Sequence, residues 1–195
     1  MKIASEIQNV EFGYHYSDTI IFFLKDYKTK KQEQYFDGNV QAIVSSVISK
    51  FTYWFNNHLQ INHRIFDKEK PAEFNCKVFI LPLHEVTNYF ISQQREAIKR
   101  SVHQLATKYL AKEFHSLNSK DKIELLQKQG QDFYSLPIHI QRGTSIRKIQ
   151  VELKIDDIPS EGVESYLNND QQEIPEFVSR TQLIISIDTP LFEED

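Results

Sequence analysis

The sequence contains few of the residues that define several special protein classes: one cysteine, five glycines and six prolines among 195 residues. The single cysteine, Cys76, excludes an internal disulfide bond and a cysteine-based zinc site. The low glycine and proline content excludes a collagen-like or linker-like chain. The longest wholly apolar run, Ile20–Leu24, is far too short to span a bilayer, and the first residues lack the apolar core of a signal peptide. We therefore expect a soluble, cytoplasmic protein with no membrane partner.

The composition that remains is that of a globular protein, with 40% hydrophobic, 12% aromatic and 26% charged residues. The net charge of −4 hides an uneven distribution. Residues 95–148 carry 11 Lys and Arg against 5 Asp and Glu, whereas residues 149–195 carry 2 against 12. The middle of the chain therefore offers phosphates a local positive surface, and the alternative is an ordinary solvated helical face.

The hydrophobic pattern predicts an α+β protein. Two apolar runs, Val10–Tyr14 and Ile20–Leu24, flank a short polar connection and predict a β-hairpin. Apolar residues at three- and four-residue spacing predict a buried helix that starts near Asn39. Further elements are predicted as a strand at Cys76–Leu81, a long helix at Glu85–His115, a short helix capped by Asn118 or Ser119 and ending before Gly130, and strands at Ile149–Ile155 and Thr181–Ile187.

Several short motifs in a fixed order carry more information than this pattern. They are Phe12–Asp18; Phe74–Phe79 with Pro82; Asn88–Phe90 with Gln94, Glu96, Ala97 and Ser101; Gly130; Leu136–Pro137; Arg142–Gly143; and Glu173–Phe177. Together they resemble the motifs of the tRNA(His) guanylyltransferases and of the guanylyltransferase-like polymerases that work in the 3′-to-5′ direction. The resemblance covers nearly the whole chain.

The resemblance implies an α+β fold with a ferredoxin-like polymerase palm and an activity that adds nucleotides to the 5′ end of a tRNA. It implies Mg²⁺ as the cofactor, GTP or another nucleoside triphosphate as a substrate, and a homo-oligomer. Residues 1–84 correspond to the second part of the palm, with its hairpin, helix and strand. Residues 85–195 correspond to the long helix and a C-terminal helical region with a few strands.

The resemblance also implies roles for individual residues. Asp18 is the catalytic residue and the metal ligand. The predicted nucleotide-binding residues are Ser17, Lys77, Lys120 and Arg142. Four basic residues, spaced to share an exposed face of the long helix, are predicted to bind tRNA: Lys99, Arg100, Lys108 and Lys112. The open alternatives are an ordinary hairpin turn at Ser17–Asp18, an ordinary turn at Arg142, and solvated lysines.

Departures from the family pattern weaken the metal site. Thr19 stands where the family has a glutamate, and no strand ending in Asp-Gly precedes the hairpin. Asp18 then supplies one carboxylate, whereas two magnesium ions at about 4 Å repel each other by roughly 17 kcal/mol at an effective dielectric constant of about 20. An inactive homologue that binds tRNA or a partner protein is therefore an alternative, as is a gene fragment.

The absent strand leads to one further expectation. In a ferredoxin-like sheet the first strand is central, so that its absence leaves Ile20–Leu24 and Cys76–Leu81 facing a gap. We expect this chain to be an N-terminally truncated palm. The missing strand is then supplied by a complementing polypeptide, or was lost with a truncated reading frame.

Overall fold

A computed structural model describes residues 2–26, 32–62, 71–110, 112–154 and 177–186. The helices are α1 (Lys2–Glu6), α2 (Val40–Asn62), α3 (Val86–Tyr109), α4 (Ser119–Lys128) and α5 (Ile138–Arg142). The strands are β1 (Val10–Tyr16), β2 (Thr19–Leu24), β3 (Thr144–Lys154) and β4 (Phe177–Ser186). Short 3₁₀ turns lie at Tyr35–Gly38, Leu83–Glu85, Lys112–Ser116 and Phe133–Ser135. The α+β class predicted from the sequence is confirmed.

The four strands form one antiparallel sheet in the order β2-β1-β3-β4. β1 and β2 are the predicted hairpin, and the connection is the two-residue turn Ser17–Asp18, in which Ser17 adopts a left-handed φ of 49°. β1 also pairs with β3, where Phe12 lies opposite Arg147 and His15 lies opposite Thr144. The sheet therefore joins the two parts into which the sequence analysis divided the chain at residue 84.

Helix α2 packs against one face of the hairpin. Asn39 caps its first turn, because the Asn39 side chain accepts a hydrogen bond of 3.1 Å from the backbone N–H of Ala42. The buried cluster on this face contains Ile7, Val10, Tyr35 and Phe51, with Phe22, Leu24 and Phe74 among the residues packed on it. This helix was predicted correctly, because its apolar residues recur with the helical period and meet an apolar sheet face.

Helix α3 packs against the opposite face of the hairpin. Its cluster consists of Tyr14, Tyr16, Phe90 and Ala97, with Ile21, Phe23 and Tyr89 among the residues packed on it. The helix ends at Tyr109, since Leu110 has an extended backbone with ψ of 151°. The predicted end at His115 is therefore wrong. The apolar stripe continues through the following 3₁₀ turn, where Phe114 joins Ala106 and Leu126 in a third cluster.

The strand predicted at Cys76–Leu81 is absent from the structure, which shows irregular backbone from residue 71 to residue 82. The segment is apolar enough for a strand, but a strand also needs a neighbour to bond its backbone groups. None of the strands in the described part of the chain pairs with it. Phe74 of this segment packs on α2 instead, with its ring centroid 5.8 Å from that of Phe51.

The C-terminal part confirms the predicted short helix and both strands. Asn118 caps α4 through a 3.0 Å hydrogen bond from the N–H of Asp121, and Gly130 follows the helix with φ of 77°. β3 begins five residues earlier than predicted, at Thr144. Ile155, Ile187 and the first four residues of the motif at 173–177 lie outside the described residues. Among the helices that the structure describes, none is long and apolar enough to cross a membrane.

Candidate functional site

The turn between β1 and β2 is fastened to the middle of α3 by three side-chain contacts. The Tyr16 hydroxyl donates to Oε1 of Gln93 at 2.9 Å, and the amide of Gln104 donates to Oγ of Ser17 at 2.9 Å. Between them, Nη1 of Arg100 lies 3.0 Å from Oδ1 of Asp18. Residues 93, 100 and 104 recur at helical spacing, so that α3 presents all three side chains to the turn.

Arg100 holds two carboxylates at once. Its Nη1 binds Asp18, its Nε lies 3.3 Å from Oε1 of Glu96, and its guanidinium carbon lies 5.6 Å from the centroid of the Tyr16 ring. All three charged side chains are at least two-fifths exposed, so each ion pair stabilises the fold by only about 0–1 kcal/mol. The arrangement fixes the position of Asp18 more than it adds stability.

A cleft of about 670 Å³ opens beside this turn. Its walls are the turn, the exposed side of α3 and the first turn of α4. The lining residues are Ser17, Asp18, Glu96, Lys99, Arg100, His103, Gln104, Leu117, Asn118, Ser119 and Lys122. Three cations face two carboxylates there, and the N-terminus of α4 adds its partial positive charge. The cleft is thus suited to an anion that binds helix N-termini and lysines, above all a phosphate.

Lys122 is a cationic lining residue that the sequence pattern did not indicate. It is only 8% exposed, and its Nζ lies 5.8 Å from the centroid of the Phe114 ring. No carboxylate pairs with it among the described residues. A buried lysine normally has an anionic partner, because burying an unpaired charge is costly. The available signal was its position four residues before the buried Leu126, on the apolar side of α4.

The cleft gathers four of the predicted site residues: Ser17, Asp18, Lys99 and Arg100. Lys120 lies in the first turn of α4 but is exposed and does not line the cleft. Lys77 is exposed in the irregular segment 71–82. Arg142 ends α5 beside the hairpin, where its backbone carbonyl accepts a hydrogen bond from the Tyr14 hydroxyl.

The four basic residues predicted to bind tRNA do not share one helical face, so that geometric prediction is wrong. Arg100 turns toward the hairpin, and Lys112 lies in the 3₁₀ turn beyond the end of α3. Lys108 is nine residues from Lys99, which is two and a half turns at about 3.6 residues per turn and places it on the opposite side of the helix. Lys99 is the one of the four that both lines the cleft and stays exposed without an ion pair among the described residues.

The donor set around Asp18 does not fit a magnesium pair. Within the described ranges, no group of three or more His, Cys, Asp and Glu side chains is placed to hold a metal ion. Asp18 forms an ion pair with the guanidinium of Arg100, and the same guanidinium also contacts the carboxylate of Glu96. One carboxylate with a cation against it is a poor magnesium ligand set, because Mg²⁺ sites need anionic oxygens. The role of Asp18 as a metal ligand stays a prediction.

Comparison with known proteins agrees with the resemblance seen in the sequence. Residues 1–82 match the family model Thg1, tRNAHis guanylyltransferase. The structure resembles a bacterial tRNA(His) guanylyltransferase (Thg1)-like protein in complex with ATP, with a TM-score of 0.73 and 24% identity over 97% of this chain and 69% of that chain. It also resembles such a protein in complex with GTP, with a TM-score of 0.69 and 25% identity over 97% of this chain and 67% of that one. A search of curated proteins gives no match.

Proposed function

We propose, from the match of residues 1–82 to the tRNAHis guanylyltransferase family model, that this chain binds a nucleoside triphosphate and takes part in adding a nucleotide to the 5′ end of a tRNA. The triphosphate, GTP or another, lies with its phosphates in the cleft between the Ser17–Asp18 turn and α4. Two solved structures of this fold, each of a bacterial tRNA(His) guanylyltransferase (Thg1)-like protein, contain ATP and GTP, which supports a nucleotide as the ligand.

The observation that carries the proposal is the convergence of Lys122, Lys99 and the N-terminus of α4 on this cleft. Lys122 is largely buried and has no carboxylate partner among the described residues, so a phosphate oxygen would complete its environment. The first N–H groups of a helix have no partner within the helix, and Asn118 and Ser119 at the start of α4 line the cleft, so this end of the helix favours an anion there. Ser17 and Gln104, already hydrogen-bonded to each other, add polar groups at the other wall.

In a phosphoryl transfer the protein stabilises the charge that develops on the transferred group and holds the reactants in line. In this chain, Lys122 and Lys99 supply fixed positive charge, and the Asp18–Arg100 pair holds the turn against α3. The magnesium that the family resemblance implies is not matched by the described donors, so we assign no step to it. We propose that tRNA enters from the side of Lys99, and the homo-oligomer implied by the resemblance stays a prediction.

The test of nucleotide binding is a comparison of Lys122→Gln with Lys120→Gln. The two lysines lie on the same helix, but only Lys122 lines the cleft. A charged hydrogen bond contributes about 1.5–3 kcal/mol, so we expect Lys122→Gln to weaken GTP binding by about 10- to 100-fold. Lys120→Gln should change the affinity by less than about two-fold. Equal affinities for both variants, measured by calorimetry, would contradict the assigned cleft.

An inactive homologue that binds tRNA without chemistry is the second candidate. It is favoured by the ion pair between Asp18 and Arg100, which engages the predicted metal ligand with a cation. The two candidates differ in the transfer of labelled GTP to the 5′ end of tRNA in the presence of Mg²⁺. Incorporation that is lost in Asp18→Asn supports the enzyme, whereas nucleotide and tRNA binding without incorporation supports the inactive homologue.

A further inference from the structure

The guanidinium of Arg100 bridges two carboxylates at the cleft. Its Nη1 lies 3.0 Å from Oδ1 of Asp18, and its Nε lies 3.3 Å from Oε1 of Glu96. Asp18 belongs to the hairpin turn and Glu96 to α3, so the cation joins two elements that are distant in the sequence. A bound Mg²⁺ has a similar role in many phosphate-binding sites, where it contacts carboxylates on one side and phosphates on the other.

Arg100 also has donors left for a ligand. A guanidinium donates hydrogen bonds from each of its nitrogens and keeps its positive charge in proteins. The two carboxylates engage Nη1 and Nε, and Nη2 has no hydrogen-bond partner among the described residues. The side chain lines the cleft and is 43% exposed. Because a guanidinium matches the geometry of a phosphate through two parallel N–H···O bonds, Arg100 is suited to bind a phosphate while it holds both carboxylates.

The other charges of the cleft favour an anion over a divalent cation. Lys99 and Lys122 line the cleft, and the N-terminus of α4 adds its partial positive charge. A metal ion that approached Asp18 would have to displace the guanidinium and would meet the charges of both lysines. Mg²⁺ also gives up its bound waters reluctantly, which makes such a displacement less favourable. A phosphate, by contrast, meets cations that are already in position.

We propose that Arg100 takes the place of a divalent cation in this cleft. On one side it neutralises Asp18 and Glu96, and on the other it binds the phosphates of the nucleoside triphosphate, which therefore binds without Mg²⁺. The inference rests on the proposed binding of a nucleotide in this cleft. It assigns Asp18 to Arg100 instead of to a metal ion, and it concerns nucleotide binding and not the transfer step.

The first experiment measures GTP binding to the full chain by calorimetry, in excess Mg²⁺ and in excess EDTA at equal ionic strength. We expect the affinity in EDTA to be at least as high as that in Mg²⁺, because the metal neutralises phosphate charge that the cations of the cleft attract. Binding that requires Mg²⁺ would overturn this inference and leave the nucleotide cleft in place. Binding under neither condition would contradict the nucleotide cleft itself, and this inference with it.

The variant Asp18→Asn distinguishes the two roles of this carboxylate by the direction of its effect. If Asp18 is the partner of Arg100, the variant removes a negative charge from the cleft, and the affinity for GTP in Mg²⁺ should stay unchanged or rise by up to about five-fold. If Asp18 held a metal ion on the phosphates, the same variant would weaken GTP binding by about 10-fold or more. A decrease of that size would overturn the proposal.

The variant Arg100→Gln removes the bridging charge, and the chain should stay folded because both ion pairs are exposed. We expect it to weaken GTP binding in EDTA by about 10- to 100-fold. Excess Mg²⁺ should restore part of this loss, since the two carboxylates are then free to bind the metal. Arg95→Gln is the matched control, because Arg95 is exposed on the same helix but does not line the cleft. Equal losses in both variants, or a loss in Arg100→Gln that Mg²⁺ leaves unchanged, would overturn the proposal.

Discussion

Gly143 is held in a backbone conformation and a space that only glycine fits. Its φ is 81°, and a Cβ at this position would lie 2.5 Å from the carbonyl oxygen of His15 and 3.0 Å from the hydroxyl oxygen of Tyr14. The close approach is required because α5 ends here and β3 begins beside β1. Gly143 therefore sets how closely the second part of the chain docks on the hairpin.

We expect Gly143→Ala to lower the free energy of unfolding by about 3 kcal/mol or more, because backbone strain and a steric clash add. Gly130→Ala is the matched control. Gly130 has a similar φ of 77°, but nothing lies within 4 Å of the position of a Cβ. Gly130→Ala should lower the free energy of unfolding by about 1 kcal/mol, from backbone strain alone. Urea unfolding of both variants measures the difference, and equal losses would show that the packing at Gly143 adjusts freely.

Tyr14 makes the free energy of unfolding depend on pH in the alkaline range. The side chain is fully buried, and its hydroxyl donates to the carbonyl of Arg142. Burial, with a smaller effect of Tyr16, raises the pKa of Tyr14 well above its ordinary value of 10.0. Above that pH the unfolded chain releases this proton while the folded chain keeps it, so the stability falls as the pH rises.

Replacement of Tyr14 by phenylalanine should therefore have opposite effects at two pH values. Near pH 7 the loss of the hydrogen bond costs about 1 kcal/mol. Above pH 10 the wild type loses up to about 1.4 kcal/mol per pH unit through this group, and Tyr14→Phe does not. Urea unfolding at about pH 7, 10 and 11 measures both terms. Parallel pH profiles of the two proteins would mean that the tyrosine titrates alike in the folded and unfolded states.

At the scale of elements, the two asparagine caps allow an effect on stability to be distinguished from an effect on nucleotide binding. Asn118 caps α4, whose N-terminus lines the cleft, whereas Asn39 caps α2 on the other side of the hairpin. Each Asn→Ala change should cost about 1 kcal/mol of stability. Only Asn118→Ala should weaken GTP binding, by about three- to ten-fold, because Asn118 lines the cleft and its loss loosens the first turn of α4 there. Affinities that fall equally in both variants would assign the effect to general destabilisation.

The elements that the sequence predicts correctly are those whose pattern is local. The apolar period of α2 and the asparagine and glycine that bound α4 are visible in a single stretch of residues. Cys76–Leu81 fails because a strand also depends on a partner, and the pattern of one segment contains no information about its neighbour. The end of α3 was placed too late because the apolar stripe continues through Phe114 after the helix has stopped.

In the candidate site, too, residues that belong to a local pattern are predicted, whereas contacts between distant segments are not. Ser17 and Asp18 follow from a short motif, and Lys99 and Arg100 from their positions on the long helix; the structure brings all four to one cleft. The hydrogen bond between Gln104 and Ser17 joins residues 87 positions apart, and no local pattern predicts such a contact. Lys122 was missed because a lysine in a short helix is usually a solvated residue.

At the scale of the whole molecule, the charge is separated along the chain. Residues 95–148 carry 11 Lys and Arg against 5 Asp and Glu, and the next 47 residues reverse this balance. With a net charge of −4, attraction of RNA by the molecule as a whole is weak. The tRNA binding that we propose would then depend on a few phosphate contacts around the cleft, which would make it steeply dependent on salt.

We therefore expect single lysines to have distinct effects on the salt dependence of tRNA binding. Each phosphate contact contributes about 0.7 to 0.9 to the slope of log K against log salt concentration. Lys99→Gln should lower the slope by about that amount, because Lys99 lines the cleft. Lys108→Gln should leave it unchanged, since Lys108 lies on the opposite side of α3. Filter binding from about 50 to 200 mM salt measures the slopes. An equal decrease in both variants would mean that tRNA wraps around the helix, and the cleft would no longer define its path.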